Sequence, residues 1–289
     1  MAIDKSLFIE KFEEKFWNTI ERFKLVKRNE RIGVALSGGK DSSTVLYLLS
    51  QRFKDRMIAI SIDEGTGEYR RATINNAQRL TRMLGVEHKI YSFKEIYGYT
   101  LPGIIELFKK NNDNTKPCTI CGILRRALLN DAAIELGLDV LAVGHSLEDE
   151  AQSILMSIFK GNPEFLQRLG PRSDKVKGFV PRIKPLYLHS EKEVLTYALL
   201  QDLVDKSLTT SCPFSSLAYR NTARNALNLL ERNDKEVKKK IVESFLLLKS
   251  HIERQPREIN RCKRCGSPTS GEYCSRCKIL MKIEKFVNK

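Results

Sequence analysis

One six-residue run, Ser37-Gly38-Gly39-Lys40-Asp41-Ser42, and seven cysteines carry the residue types that could do chemistry in this 289-residue chain. The run follows an apolar stretch, Arg31 to Leu36, that reads as a buried strand, and precedes Ser43 to Leu49, which reads as a helix with an apolar face. In that setting the backbone N–H groups at a helix N-terminus face an anion. Gly38 and Gly39 let the main chain approach oxyanions closely. Lys40 adds a positive charge, Ser37 and Ser42 add hydroxyls, and Asp41 can cap the helix or hold a metal. The cysteines fall into two groups. Cys262-x2-Cys265-x8-Cys274-x2-Cys277 is a pair of CxxC knuckles, the spacing that closes four thiolates around structural Zn²⁺. Gly266 and Gly271 supply tight turns beside them. Cys118, Cys121 and Cys212 leave one position open. Three chemistries suit them: an iron–sulfur cluster with one free iron, a redox pair carrying a persulfide, or a second zinc completed by His88, His145, His189 or His251.

The elements that must position these groups follow a βαβ rhythm. Met57 to Ile62 reads as a second buried strand ending in Asp63-Glu64-Gly65, and carboxylates at a strand's C-terminal end sit where open α/β sheets bind ligands. A helix is expected over Glu68–Leu84, closed by Gly85, and a strand over Glu87–Tyr91. Glu95–Lys110 reads as a helix interrupted at Leu101-Pro102-Gly103. Cys118-Thr119-Ile120-Cys121-Gly122 opens a helix at about Ile123 that runs to Leu136, with Arg125 and Arg126 in its first turns. Thiols at a helix N-terminus are expected to have depressed pKa values. Asp139–Val143 is a strand ending at Gly144-His145-Ser146-Leu147-Glu148-Asp149-Glu150, with a helix from Ala151 to Phe159. Residues 161–190 read as an irregular basic loop, in which Phe165 and Phe179 could stack on unpaired bases or pin the loop. Helices are expected over Glu191–Lys206 and, with basic character, over much of 217–255. Leu7, Phe8, Phe12, Phe16, Ile20 and Phe23 recur at helical spacing near the start. The expected fold is α/β, a doubly wound and mostly parallel sheet. It divides into an N-terminal amphipathic helix (1–30), a nucleotide domain (31–215), a basic helical region (216–255) and a zinc finger (256–289).

Fifty Lys and Arg against 35 Asp and Glu give a net charge of +15, an excess that suits a nucleic-acid partner. No apolar run approaches the ~18 residues of a membrane span, and Met1 to Phe23 carries charges throughout, unlike an export signal. A cytoplasmic protein without a disulfide framework is expected, with no membrane association.

The run SGGKDS lacks the four-residue spacer of the Walker loop and resembles the PP-loop of ATP pyrophosphatases, which split ATP into AMP and pyrophosphate to adenylate a substrate. Taken with Ile62-Asp63-Glu64-Gly65, Tyr69-Arg70, Cys118-x2-Cys121-Gly122, Arg125-Arg126, Gly144-His145, Asp149-Glu150, Cys212-Pro213 and the terminal four cysteines, the chain after Arg31 resembles the tRNA 2-thiolation enzymes. These act on uridines or on an anticodon-loop cytidine. The resemblance implies ATP and Mg²⁺ at Ser37–Ser42, Ile62, Asp63, Arg125, Gly144 and His145. It implies a [4Fe-4S] cluster on Cys118, Cys121 and Cys212, zinc on the tail cysteines, and a catalytic role for Asp149 and Arg125. It also implies tRNA as substrate, sulfur from free sulfide or a ubiquitin-like thiocarboxylate protein, and a homodimer. Two departures stand out. An amphipathic helix replaces the usual N-terminal zinc finger, and Ser146 and Glu148 replace the usual Asn and Asp after Gly-His. The terminal zinc finger favours a uridine. Rival readings are cytidine thiolation, lysidine-type ligation without sulfur, and a nucleotide-sensing RNA-binding module.

Overall fold

The computed structural model describes residues 4–161, 163–204, 212–214, 220–252 and 259–288. The readings placed on 205–211, 215–219 and 253–258 lie outside them. Five parallel strands form the central sheet: β1 (Ile32–Ala35), β2 (Met57–Asp63), β3 (Glu87–Ser92), β4 (Val140–Ala142) and β5 (Arg182–Ile183), in the order β3-β2-β1-β4-β5. The central strands read as unbroken apolar runs because both faces are covered. The strand order reverses between β1 and β4, so the ligand crevice of such a sheet opens at their C-terminal ends.

Helices cover both faces. On one lie α1 (Lys5–Arg22), α2 (Lys40–Phe53), α3 (Glu68–Leu84) and α9 (Glu191–Leu200); on the other lie α4 (Phe93–Tyr97), α5 (Leu101–Lys110) and α6 (Pro117–Glu135). Beyond β4, α7 (Leu147–Phe159) and α8 (Pro163–Arg168) lead to the edge strand, and α10 (Arg220–Leu230) and α11 (Val237–Lys249) pack with α7 around Leu227, Val242 and Phe245. A two-stranded ribbon, β6 (Asn260–Arg261) and β7 (Pro268–Thr269), precedes α12 (Ser275–Val287). Ile279 and Ile283 of α12 enter the same core as α5 and α6. No helix among the described residues is long and apolar enough to cross a membrane.

Several boundaries differ from the sequence reading for local reasons. Leu101-Pro102-Gly103 does not interrupt a helix: Gly98 ends α4 in the left-handed region, and Thr100 caps α5 with Pro102 in its first turn. Helix α6 starts at Pro117, so both cysteines lie inside it. Helix α7 starts at Leu147, because Ser146 and Asp149 close a capping box. The basic stretch 161–190 is not all loop, since it contains α8 and β5.

Helix α1 is part of the core. Phe12 stacks on Tyr197 with ring centroids 4.2 Å apart, and Phe16 is fully buried. The fully buried His189 lies against Phe12, its Nε2–H donating to the Phe12 carbonyl at 3.2 Å. Burial lowers the His189 pKa to about 4, below the ordinary 6.5. The unfolded chain therefore binds more protons between those values. His189's contribution to stability is complete above pH 6.5 and is lost as pH falls towards 4. In urea titrations across this window, His189→Gln should flatten the pH dependence by up to about 1.4 kcal/mol per pH unit, and an unchanged slope would refute the neutral buried imidazole.

Candidate active site

The PP-loop is shaped by what holds its carbonyls. After the Leu36 amide completes the ladder by donating to Ile60 O at 2.8 Å, the Ser37 carbonyl accepts from Arg70 Nη1 at 2.8 Å and the Gly38 carbonyl from Asn76 Nδ2 at 2.9 Å. In a trans peptide the N–H opposes the C=O, so the amides of Gly38 and Gly39 turn away from α3, the Gly39 amide donating to Ser37 Oγ at 3.3 Å. Gly38 sits at φ +82, and a Cβ there would stand 1.8 Å from the Thr73 carbonyl oxygen. Gly39 begins α2 without a side-chain cap, which leaves the first-turn amides to an anion. The Ser37 and Ser42 hydroxyls bond each other at 2.8 Å, and Lys40 Nζ meets both carboxylate oxygens of Asp41 at 2.8 Å. Burial raises the Asp41 pKa against the pull of Lys40, and the negative charge of Asp149 across the crevice adds to the rise.

The loop after β4 closes the other wall. Gly144 passes so near α2 that a Cβ would lie 2.7 Å from the Ser42 nitrogen. His145 Nδ1 is 3.9 Å from Oε1 of buried Glu150, which also accepts from Lys184 Nζ at 2.7 Å. Desolvation in the crevice lowers the His145 pKa, with 45% of the side chain still exposed. Asp149 accepts from the Ser146 amide at 3.2 Å and pairs with Arg220. The two departures from the usual pattern have structural uses: Ser146 caps α7, and Glu148 Oε2 accepts from the Glu191 amide at 2.8 Å at the start of α9.

Buried Arg70 and Glu64, neither of which stood among the expected site residues, join the two halves of the crevice. Arg70 Nε donates to the Ile62 carbonyl at 2.8 Å and meets Glu64 Oε2 at 3.0 Å; Glu64 Oε1 meets Arg125 Nη1 at 3.4 Å. The Ile62 carbonyl is thus engaged by Arg70, and Asp63 accepts from the Gly65 amide at 2.8 Å. The sequence signal for this hub was the Glu64 and Arg70 pair around a strand end. Asn76 gave none, being one polar residue in a helix.

Arg125 leads directly to the cysteines. Cys118 and Cys121 lie in the first turns of α6, and the Cys118 thiol donates to the Phe214 carbonyl at 3.3 Å, which draws the Cys212–Phe214 segment onto α6. The charges of Cys118, Cys121 and Cys212 act on one another, and Cys121 and Cys212 act on Arg125. The expected thiol acidity is reversed in the metal-free chain: burial raises Cys118 and pushes Cys121 to about 11. Desolvation under the packed crevice wall outweighs the helix dipole.

Among the described residues, only the tail cysteines Cys262, Cys265, Cys274 and Cys277 bring four ligand atoms within 4.8 Å of one another. The Sγ atoms of Cys265 and Cys274 are 3.6 Å apart, close to the ~3.8 Å that tetrahedral Zn–S bonds of about 2.3 Å impose. This donor set fits one zinc ion. Cys118, Cys121 and Cys212 are not gathered so closely, which suits a polynuclear cluster better than a single ion. Phe165 and Phe179 are about half exposed, at 51% and 46%, with Arg168 over the Phe165 ring.

An open parallel sheet with this glycine-turned loop at its switch point defines an adenine-nucleotide-type α/β protein. The PP-loop domain family matches residues 9–228. The tRNA-5-methyluridine(54) 2-sulfurtransferase of Pyrococcus horikoshii is 35% identical, across 100% of this chain and 90% of that protein. A probable sulfurtransferase of Methanocaldococcus jannaschii is 36% identical over 91% of this chain and 77% of its own length. The structure of the U34-tRNA thiolase NcsA from Methanococcus maripaludis, with its [4Fe-4S] cluster, superposes with a TM-score of 0.79 at 36% identity, covering 94% of this chain and 87% of that one. The chain belongs to the PP-loop family of tRNA 2-thiolation enzymes.

Two outcomes follow from this geometry. Gly38→Ala forces a Cβ onto the Thr73 carbonyl and should weaken ATP binding at least tenfold by calorimetry, with α/β circular dichroism retained; wild-type affinity would show that the loop's shape is not what binds. Cys277→Ala should take zinc from one per chain to none and make α12 a site of early proteolysis. Full zinc retention would remove that thiolate from the metal site.

Proposed function

We propose that this chain is an ATP-dependent tRNA 2-sulfurtransferase that adenylates a base carbonyl and replaces its oxygen with sulfur. The observation that carries this reading is the continuity of the crevice: the PP-loop and the cysteine triad are tied together by Arg70, Glu64 and Arg125. A protein that only adenylates has no need of three cysteines beside its nucleotide. The terminal cysteine module supports a uridine target, as do relatives named for uridines 54 and 34. A cytoplasmic setting is supported by the relative named cytoplasmic tRNA 2-thiolation protein 1 in Drosophila melanogaster, 33% identical. In the proposed division of the chain, residues 31–215 do the chemistry, with zinc at 256–289.

The amides of Gly38 and Gly39, the free first turn of α2 and Lys40 bind the phosphates of ATP. Asp41 and Asp149 hold Mg²⁺ against them. When the base carbonyl oxygen attacks the α-phosphate and pyrophosphate leaves, the charge developing there meets fixed dipoles that need no reorganisation. Arg125, held by Glu64, lies between nucleotide and thiols and orients the adenylated base. Cys118, Cys121 and Cys212 would hold a [4Fe-4S] cluster, which when bound supplies an open iron for sulfur. Sulfide or a thiocarboxylate protein is the proposed donor.

The test is anaerobic purification of wild type and Cys212→Ser, with iron, zinc and product analysis. Wild type should carry about four iron, release AMP and yield thiolated tRNA. Cys212→Ser should lose iron and thiolation while zinc stays. Full activity of the variant would refute the sulfur chemistry and favour a ligase.

A further inference from the structure

Most cations around the crevice have a carboxylate partner: Arg125 has Glu64, Arg220 has Asp149 and Lys184 has Glu150. Two do not. Arg182, on edge strand β5, donates Nη2 to the Arg126 main-chain carbonyl at 3.4 Å. Arg126 folds back over Gly122, its guanidinium filling the space a side chain there would take, with Nη1 3.0 Å from an added Cβ. No acidic side chain meets either guanidinium among the described residues. Desolvation, together with the positive charges of Arg126 and then Arg125, brings the Arg182 pKa down to about 10. Arg126 is exposed and Arg182 half-buried, so an anion can reach both, and it would relieve the repulsion of two like charges held side by side.

The position restricts that anion. Arg126 lies close enough to Cys121 to sense its charge, and Arg182 acts on His145 beside Gly144. The pair therefore lies along the crevice between the thiols and the β4 wall. The phosphates of ATP already have the amides and Lys40 of the PP-loop. From Arg182 the basic surface continues through exposed Lys175 and Lys177 to Gly178, which abuts Pro268 and Arg261 of the tail module. Guanidinium forks match phosphate oxygens in pairs.

We propose that Arg126 and Arg182 form a phosphodiester subsite that clamps the RNA backbone beside the base being modified. This rests on the tRNA reading above. Phosphate contacts of this kind set register on the nucleic acid and do not read sequence.

The experiment measures binding of unmodified tRNA to the cluster-loaded enzyme by fluorescence anisotropy over a salt series. It uses wild type, Arg126→Gln/Arg182→Gln and Arg126→Lys/Arg182→Lys, with ATP affinity measured in parallel. The Gln pair should bind tRNA at least about tenfold more weakly at low salt, and its log K against log salt slope should be shallower by about 1.4–1.8, two contacts' worth. ATP affinity and iron content should not change. The Lys pair keeps the charge, so it should restore the slope while binding more weakly than wild type. Unchanged tRNA affinity and slope in the Gln pair would overturn the subsite and leave the thiolation reading intact. A loss of ATP affinity instead would also overturn it, assigning the pair to the triphosphate. Wild type failing to bind tRNA at all would overturn both. If the Gln pair does not fold, a Lys pair indistinguishable from wild type in affinity overturns the fork-to-phosphate contact.

Discussion

The geometry of the crevice depends on one buried guanidinium. Arg70 is 6% exposed, and its hydrogen bonds reach the carbonyls of Ile62 and Ser37, the hydroxyl of Thr73 and the carboxylate of Glu64. A buried arginine is tolerable only when its donors are satisfied and its charge is met, and here both conditions are fulfilled by groups from three elements. The loop after β1, the end of β2 and the start of α3 are consequently held in one arrangement. Arg70 takes up carbonyls that would otherwise face the crevice, so the loop presents donors to the nucleotide. Glu64 then passes the constraint on to Arg125 and the cysteine helix.

The sheet contributes the second constraint. Because the strand order reverses between β1 and β4, the connections that follow them run towards opposite edges of the sheet, to β2 and to β5, and the two strand ends diverge. The opening is narrowed again by Gly144, which lets the β4 loop come within touching distance of the first turn of α2. Asp41 and Asp149 come to opposite sides of that narrow gap, each paired with a cation of the chain, Lys40 and Arg220.

Local features of the site were legible in the sequence and relational ones were not. Ser37–Ser42 and the CxxC knuckles announce themselves because their chemistry depends on residue type at short spacing. The strands were readable because burial on both faces leaves uninterrupted apolar runs. Asn76 was invisible: its task, holding the Gly38 carbonyl, is defined by a contact across 38 positions. Glu64 and Arg70 were visible as charged residues, but their partnership exists only once α3 folds against β2. The thiol acidity was misjudged in sign for the same reason. A helix N-terminus can be read from sequence, whereas the desolvation that outweighs it belongs to the tertiary structure. Helix α7 begins at Leu147, four residues before the Ala151 that the sequence pattern suggests, because Ser146 and Asp149 close a capping box within what reads as the end of a strand.

Helix α6 shows how one element couples these parts. At 19 residues it is about 28 Å long. Its first turns carry Cys118 and Cys121, its next Arg125 and Arg126, and farther along Asp131 pairs with Arg276 beside the tail cysteines. Helix α12 of the tail adds Ile279 and Ile283 to the core that α6 itself builds with Leu124 and Leu128, and Lys282 meets Asp113 at 2.7 Å just before α6 begins. The tail is therefore docked on the same rigid rod that carries Cys118 and Cys121. A metal-closed module in that position holds α6 from Asp113 just before it to Asp131 near its end, while Glu64 holds its middle through Arg125. The separation between the tail surface and the thiols then becomes a property of helix geometry. An RNA spanning both would meet two sites at a set distance, and its register on the enzyme would be decided by backbone contacts before any base entered the crevice.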